Sequence, residues 1–547
     1  MTALLTDNLP LLADAPNGIK KLRELILELA VRGKLVPQDP SDEPASMLLK
    51  RIAEEKARLV AEGKIKKQKA LSSIVEEEKL FELPKGWEWQ RLDDISPMSL
   101  VDGDWIESKD QDPSGGIRLL QLADIGVNEF KDKSDRFINA ETFTRLNCTA
   151  LEAGDILIAR LPSPIGRACI FPGLSCNSIT VVDVAVLRPL STFCSSYVVN
   201  AINSTCFREQ VEAYGKGATR FRIATGHLKT LLIPIPPLAE QQRIVAKVDE
   251  LMALCDHLEA QQAGAESAHA RLVQALLDSL TQVSDAIDFA ANWQRLAKHF
   301  HTLFTTESSI DALKQTVLQL AVMGKLVPQN SSDEPVACLL EKNGIKSQPH
   351  MLQGWAHAPL GQLGEIIGGS TPSKANAEFW SGDIPWVSPK DMKRPVIQDS
   401  EDHISAKALA ETSLRAVPPK SLLMVVRGMI LVHSFPVALT AREVTINQDM
   451  KALVPPPEIS DYLLMYLQAA KGLMVGLVDR SSHGTCKLIS EKLWSHIASL
   501  PPLAEQHRIV TKVAQLMTLC DQLKTRLTQA RQLNEQLAST LLEQAAA

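Results

Sequence analysis

Two loops of this chain carry the residue types that could read a nucleic acid. The first, KGATRFRIATGHLK at 216–229, holds four bases, no acid, two glycines and one aromatic ring. Its glycines let the backbone approach a phosphate. Lys216, Thr219, Arg220, Arg222 and Lys229 can donate to phosphates or base edges. The wider stretch 156–230 also holds Arg160 and Arg167 and counts eight Lys or Arg against three acids, a net +5. Residues 86–155 before it are acidic. The second loop holds Arg480, His483, Thr485 and Lys487. A further cluster is Lys390, Lys393 and Arg394, and Arg427 closes an apolar run that begins at Ser421. One basic loop alone is most often plain solvated surface. Two such loops, at matching places in two parts of one chain, are candidates for a DNA interface.

Residues for catalysis on DNA do not assemble in the same way. A DNA amino-methyltransferase needs [DN]-P-P-[YFW] to hold its target amine. The Pro-Pro pairs at 236, 418, 455 and 501 follow Ile235, Val417, Val454 and Leu500 instead. A phosphate-cradling P-loop needs Gly-Lys-[Ser/Thr]. The Gly-Lys pairs at 33, 63, 215 and 324 are followed by Leu35, Ile65, Gly217 and Leu326. There is no HExxH and no GxSxG. The expectation is a chain without a catalytic centre of its own, and with no metal or cofactor.

The elements that position these loops come in duplicate. LAVRGKLVPQDPSDEP at 29–44 returns as LAVMGKLVPQNSSDEP at 320–335, identical at thirteen of sixteen positions. PPLAEQQRIVAKVDELMALCDHL at 236–258 returns as PPLAEQHRIVTKVAQLMTLCDQL at 501–523. Between the members of each pair lies a block of about 150 much less similar residues. Gly86-Trp87 and Gly354-Trp355 open the blocks; Gly217 to Arg220 and Gly484 to Lys487 close them. A period this long means a duplicated half-molecule rather than a solenoid.

The second repeat predicts a long helix. Its prolines sit at the start, where a missing N–H does no harm, and Glu240 falls in the first turn. Ile244, Val248, Leu251, Cys255 and Leu258 recur at spacings of 4, 3, 4 and 3, an a/d seam. Ile509, Val513, Leu516, Cys520 and Leu523 repeat it. The expected partner of each seam is the other copy, with an ordinary bundle core as the alternative. The first repeat also predicts a helix, with Leu22, Leu25, Ile26 and Leu29 on one face and Gly33 as cap. Its second copy has Leu313, Val317, Leu320 and Gly324. The near-identity of these short motifs suggests a contact surface, with the other half or with two identical partners. Residues 49–70 read as a solvated helix with a lysine-rich tail, and Trp293, Leu296, Phe300 and Leu303 as one core or partner-facing stripe.

Both blocks read as mixed α/β. Runs such as 155–160 and 421–427 predict strands, with helices near 196–213 and 459–475. The expected division is a helical region at 1–84, a variable domain at 85–235, a central region at 236–345, a second variable domain at 346–500 and a long helix at 501–547. The fold class is therefore α/β (α+β), duplicated with pseudo-two-fold symmetry.

Composition bounds the rest. The net charge is −6, so the chain as a whole is no basic wrapper of nucleic acid. Its nine cysteines contain no CxxC pair, which favours reduced thiols in the cytoplasm over a disulfide frame or zinc site. The acids and prolines of the first 18 residues do not suit a secretory signal, and no apolar run reaches the 18 residues of a membrane span.

With both repeats in view, the chain resembles the specificity subunit of type I restriction–modification enzymes, in an enterobacterial-type branch. The residues that carry the resemblance are the PPLAEQ helix starts at 236 and 501 and the GKLVPQ repeats at 33–38 and 324–329, around two dissimilar blocks. It covers essentially the whole chain. One departure is Gly217-Ala-Thr-Arg220 and Gly484-Thr-Cys-Lys487, where members of the family often show a Gly-Ser/Thr-x-Gln-like pattern. The resemblance implies two target recognition domains, at 85–235 and 346–500, each reading one half of a split, asymmetric double-stranded DNA site, with the two long helices paired in an antiparallel coiled coil that spaces them. It implies two modification (methyltransferase) and two restriction (translocase/nuclease) subunits as partners. S-adenosylmethionine, ATP and Mg²⁺ would belong to those partners, which would also supply positive surface that this acidic chain lacks. The competing readings are a methyltransferase or nuclease acting alone, and a coiled-coil scaffold without DNA readout.

Overall fold

The computed structural model describes residues 12, 15–65, 71–190, 193–217, 221–283, 285–480 and 486–546. Thr219, Arg220, His483 and Thr485 lie outside them. The chain splits into two units, Met1–Gly264 with Arg531–Ala547, and Ala265–Ala530.

In the first unit, helix α1 (Gly18–Val31) buries Leu22, Leu25, Ile26 and Leu29, the face its spacing predicts. It ends at Gly33, with φ +66°. A Cβ there would lie 2.5 Å from Pro84 Cγ and 3.1 Å from the Trp87 ring. The variable block that follows is built on small sheets. Strands β1 (Glu88–Arg91) and β9 (Leu232–Ile235) pair antiparallel and join the beginning of the block to its end. A four-stranded antiparallel sheet has the order β2 (Val101–Asp102), β8 (Val184–Leu187), β5 (Ile156–Ala159), β6 (Ala168–Ile170). A three-stranded sheet has β3 (Ile117–Leu120) at its centre, antiparallel to β4 (Phe137–Ile138) and parallel to β7 (Ser178–Thr180). The predicted helix at 196–213 is two helices, Ser195–Ile202 and Thr205–Tyr214. Ser204 breaks it by capping the second, accepting from the Phe207 N–H.

The unit closes with α2 (Leu238–Gln282), a helix of 45 residues. It is longer than the seam suggests, because apolar periodicity stops after Leu258 and most of 259–272 is exposed. Its residues from 265 on belong to the second unit. The seam packs within its own unit. Ile244, Val248 and Cys255 share a core with the leucines of α1, and Leu251 and Leu258 pack against it. Ala538 and Leu542, from the far end of the last helix, complete that core. Helix α1 is tied to both neighbours: Arg23 bonds Asp256 and Glu259, and Lys21 Nζ donates to Ser539 Oγ at 2.8 Å.

The second unit repeats this plan. Helix α3 (Glu307–Val322) shares a core with Val273, Leu277 and Leu280 of α2. The last helix, α4 (Leu503–Ala546), adds Ile509, Val513 and Cys520 to that core, with Leu516 and Leu523 packed against it. Lys314 pairs with Asp521, and Lys524 with Asp311 at 3.0 Å. Trp293, Leu296 and Phe300 of the predicted stripe line an apolar hollow beside Leu313, Val317 and Leu516.

The second variable block has the same strand plan despite its divergent sequence. Its central strand β15 (Leu422–Val425) lies between β18 (Met450–Val454) and β16 (Val437–Thr440), with β11 (Glu365–Gly368) and β13 (Val396–Ile397) outside them. A three-stranded sheet has β12 (Ile384–Val387) central, antiparallel to β14 (Asp402–Ile404) and parallel to β17 (Thr445–Ile446). Strands β10 (Ala356–Pro359) and β21 (Ile497–Leu500) join its ends as β1 and β9 do. The edge strand β13 has no counterpart among the named strands of the first block.

The repeated residues form the same internal lock twice. Trp87 Nε1 donates to Glu240 at 2.9 Å, and Trp355 Nε1 to Glu505 at 3.1 Å. Both carboxyls are 1% exposed, and burial pushes each up from the usual carboxylate range, against the indole's opposing pull. Gln241 donates to Pro236 O, and Gln506 to Pro501 O. Arg243 pairs with Asp42 at 2.5 Å, and Arg508 with Asp333 at 2.6 Å. In each unit these bonds fasten first repeat, variable block and long helix together.

Gly324 takes the place of Gly33, at φ +70°, with Leu352 Cδ1 2.6 Å and the Trp355 ring 3.1 Å from any Cβ. Gly324→Ala is expected to destabilise the second unit by about 1–3 kcal/mol, from positive φ and crowding together. Urea denaturation followed by peptide-resolved hydrogen exchange checks this, and unchanged protection at 307–322 would contradict it.

Candidate nucleic-acid interface

The first basic loop is a hairpin. The Lys216 N–H donates to Arg222 O at 2.9 Å, and the Arg222 N–H to Lys216 O at 3.0 Å. Both side chains are exposed, as is Phe221 at 43%. The Phe221 ring covers Gly215, where a Cβ would meet it at 2.3 Å. The hairpin is docked on the central sheet, for the Ile223 N–H donates to Arg160 O at 3.3 Å. Lys229 is half-buried, and its ammonium donates to Ser99 Oγ at 2.6 Å.

Arg160 and Arg167 are corrections to the sequence reading. Arg160 is 6% exposed. Its guanidinium donates to Thr225 Oγ1 at 2.9 Å and Val182 O at 2.5 Å, and pairs with Asp102 at 3.2 Å. Asp102 also accepts from Thr225. Arg160 thus fastens β2 to the foot of the hairpin and has no face left for DNA. Arg167 donates to four carbonyls: Ile125 at 2.8 Å, Leu122 and Pro162 at 2.9 Å, and Pro164 at 3.3 Å. It holds the turn Leu161–Ile165 in shape. Two other bases of the same stretch are also spent inside the fold: Arg188 on Asp155 and Glu152, Arg208 on Glu24. The net +5 of 156–230 therefore overstates the charge offered to solvent.

The second loop is again a hairpin, made by β19 (Val478–Arg480) and β20 (Cys486–Leu488) in antiparallel register, with Asp479 opposite Lys487. Arg427 bridges to Lys487 across the backbone, and both side chains are exposed. The Leu488 N–H donates to Val426 O at 2.9 Å, as Ile223 does to Arg160. The Val426 N–H donates to Asp449 O, as Arg160 does to Asp183. The buried Val426 thus takes the place of Arg160, and the two hairpins occupy one position in one fold.

Lys390, Lys393 and Arg394 stand elsewhere in the second block, on the loop before β13. Lys390 pairs with Glu401 and Asp402, both at 3.0 Å, and these carboxylates hold its ammonium well above the usual lysine range. Lys393 is 3.9 Å from Glu401, and Arg394 is exposed. The structure brings Arg427, Arg480 and Lys487 to one hairpin and leaves this cluster on another loop. Among the described residues no helix is long and apolar enough to cross a membrane.

Known proteins are similar to this chain. Residues 84–265 and 353–531 match the family described as "Type I restriction modification DNA specificity domain". Over 574 aligned positions the chain is 36% identical to the specificity subunit of the type I restriction enzyme EcoAI of Escherichia coli, spanning 96% of this chain and 94% of that one. Its identity to the EcoEI specificity subunit of the same species is also 36%, over 578 positions, with the same coverage. A solved chain from work on "complex assembly and conformational transition of the type I R-M system" aligns over 85% of this chain and 99% of its own. That likeness has a TM-score of 0.51 at 19% identity and is one of fold.

Proposed function

The chain belongs to the type I restriction–modification DNA specificity family, and from that premise we propose how it divides the work of recognition. It is the DNA-recognising subunit of a type I restriction–modification enzyme. Each block is a target recognition domain, 85–235 and 346–500, and each reads one half of a bipartite, asymmetric double-stranded site. The observation that carries this reading is the pair of basic hairpins, docked alike on the central strands of two domains with one strand plan. A shared scaffold with different exposed side chains is what two different half-sites require.

Two modification subunits and two restriction subunits assemble on it. Adenine methylation with S-adenosylmethionine and ATP- and Mg²⁺-dependent cleavage are theirs, and the complex works in the cytoplasm. Base readout belongs to Lys216, Arg222, Arg427, Arg480 and Lys487, together with Thr219, Arg220, His483 and Thr485, which lie outside the described residues. Lys229, Lys390, Lys393 and Arg394 add positive potential for phosphates, which positions the duplex without selecting sequence.

The test is to express this chain with its modification subunit in a host lacking adenine methylation, then map methylated adenines genome-wide. The expected result is one two-part motif with a fixed gap. Methylation at a single uninterrupted motif, or none at all from an assembled complex, would overturn the proposal.

A further inference from the structure

We propose that Met429 and Ile430 are specificity-determining residues of the second recognition domain, placed to meet thymine C5 methyl groups in the major groove. The proposal rests on the reading of this chain as a DNA reader and names a contact that charge alone does not supply.

Both side chains stand in solvent, 64% and 43% exposed, while the next residue, Leu431, is wholly buried. The turn that carries them leaves the central strand β15 and is fastened to the basic hairpin. The Gly428 N–H donates to Cys486 O at 3.0 Å, and Arg427 and Lys487 are bridge partners. Gly428 has φ +129° with open space where a Cβ would stand, so the turn needs glycine for its backbone and not for room. The two apolar side chains therefore adjoin the exposed Arg427 and Lys487, with Asp479 the one acid in register with them.

Charge complementarity selects the occupant. A surface that sets an apolar tip among cations suits a duplex, whose phosphates lie outside its bases. In the major groove the apolar group on offer is the thymine methyl. The first domain has a turn at the same place, Leu161–Ile165, held by the four carbonyl bonds of Arg167. In both domains, then, the turn after the central strand is fastened, in the first through Arg167 to Leu122 and Ile125, rather than left loose.

The test uses the full chain assembled with its modification subunit, and the motif mapped as above. The half-site of this domain is the one that changes when residues 346–500 are exchanged. Each of its thymines, on either strand, is replaced singly by deoxyuridine, and binding is titrated. With the wild-type chain, one or two replacements should weaken binding about fourfold each, the worth of one methyl group. With Met429→Ser/Ile430→Ser, those same replacements should have no effect, and Met429→Leu with native Ile430 should restore the response. Wild-type binding indifferent to every replacement would overturn the proposal, as would a double variant as sensitive as wild type. A double variant that fails to assemble with the modification subunit, yet keeps its fold by circular dichroism, would also overturn it and assign the patch to a protein partner. Arg427→Ala and Lys487→Ala separate this failure from a wider one. If they weaken binding while the double variant behaves as wild type, only the methyl contact falls. If they too change nothing, this hairpin is not the reading surface.

Discussion

Leu542→Ala should destabilise the unit that contains the beginning of the chain, by about 3 kcal/mol, and leave the other unit unchanged. Leu542 is 7% exposed and shares the core of α1 with Ala538, at 1%. Truncating a buried leucine removes its transfer energy and leaves a cavity, which together cost about 2–5 kcal/mol. Deleting 531–547 should cost more, since it also takes Ala538 and the Ser539 partner of Lys21. The mirror substitution is Leu277→Ala. Leu277 is 1% exposed in the core of α3, and it precedes Leu542 by 265 residues, the offset that also separates Ile244 from Ile509. It should loosen the second unit alone. Peptide-resolved hydrogen exchange under mild urea reads both. Leu542→Ala should release amides of 18–31, and Leu277→Ala those of 307–322. Crossed effects, or one joint loss of protection, would contradict this assignment of helix ends.

These helix ends mark the limit of what the sequence could tell. The seam at 244–258 was legible because a spacing of 4 and 3 defines one helix face. Periodicity names a face and no partner, and the partner within the unit is α1, with the end of α4 in the same core. The length of α2 was not legible, since the exposed residues 259–272 carry no apolar rhythm. The bonds of Trp87 to Glu240 and of Arg243 to Asp42 were not legible either, since only tertiary structure sets a tryptophan against a glutamate 153 residues away.

The basic loops were legible as a density of charge. Composition could not separate Arg222, which is exposed, from Arg160 and Arg167, which are consumed by carbonyls and Asp102. Nor could it point to Met429 and Ile430, because an apolar side chain is noticed as exposed only once the fold is known. The place of the seam in the core of α1 also changes an experiment. Removing a heptad from 244–258 would strip buried residues from the first unit, so it should cost stability before it changes any gap between half-sites.

The central claim is that each recognition block reads its own half-site. Exchange of residues 86–235 for the corresponding block of a relative with a different target tests it at full size. The β1–β9 pair closes that block and travels with it, the Arg243–Asp42 pair lies outside it, and a donor with tryptophan in the place of Trp87 keeps the bond to Glu240. A wrong base pair costs a reader about 1–3 kcal/mol, and several together abolish recognition of the old half-site. The direct measurement is a genome-wide map of methylated adenines for the parent and the exchanged chain, each assembled with the same modification subunit. One half of the motif should be replaced by that of the donor, with the other half and the gap unchanged. An unchanged motif, or one altered in both halves, would contradict the account.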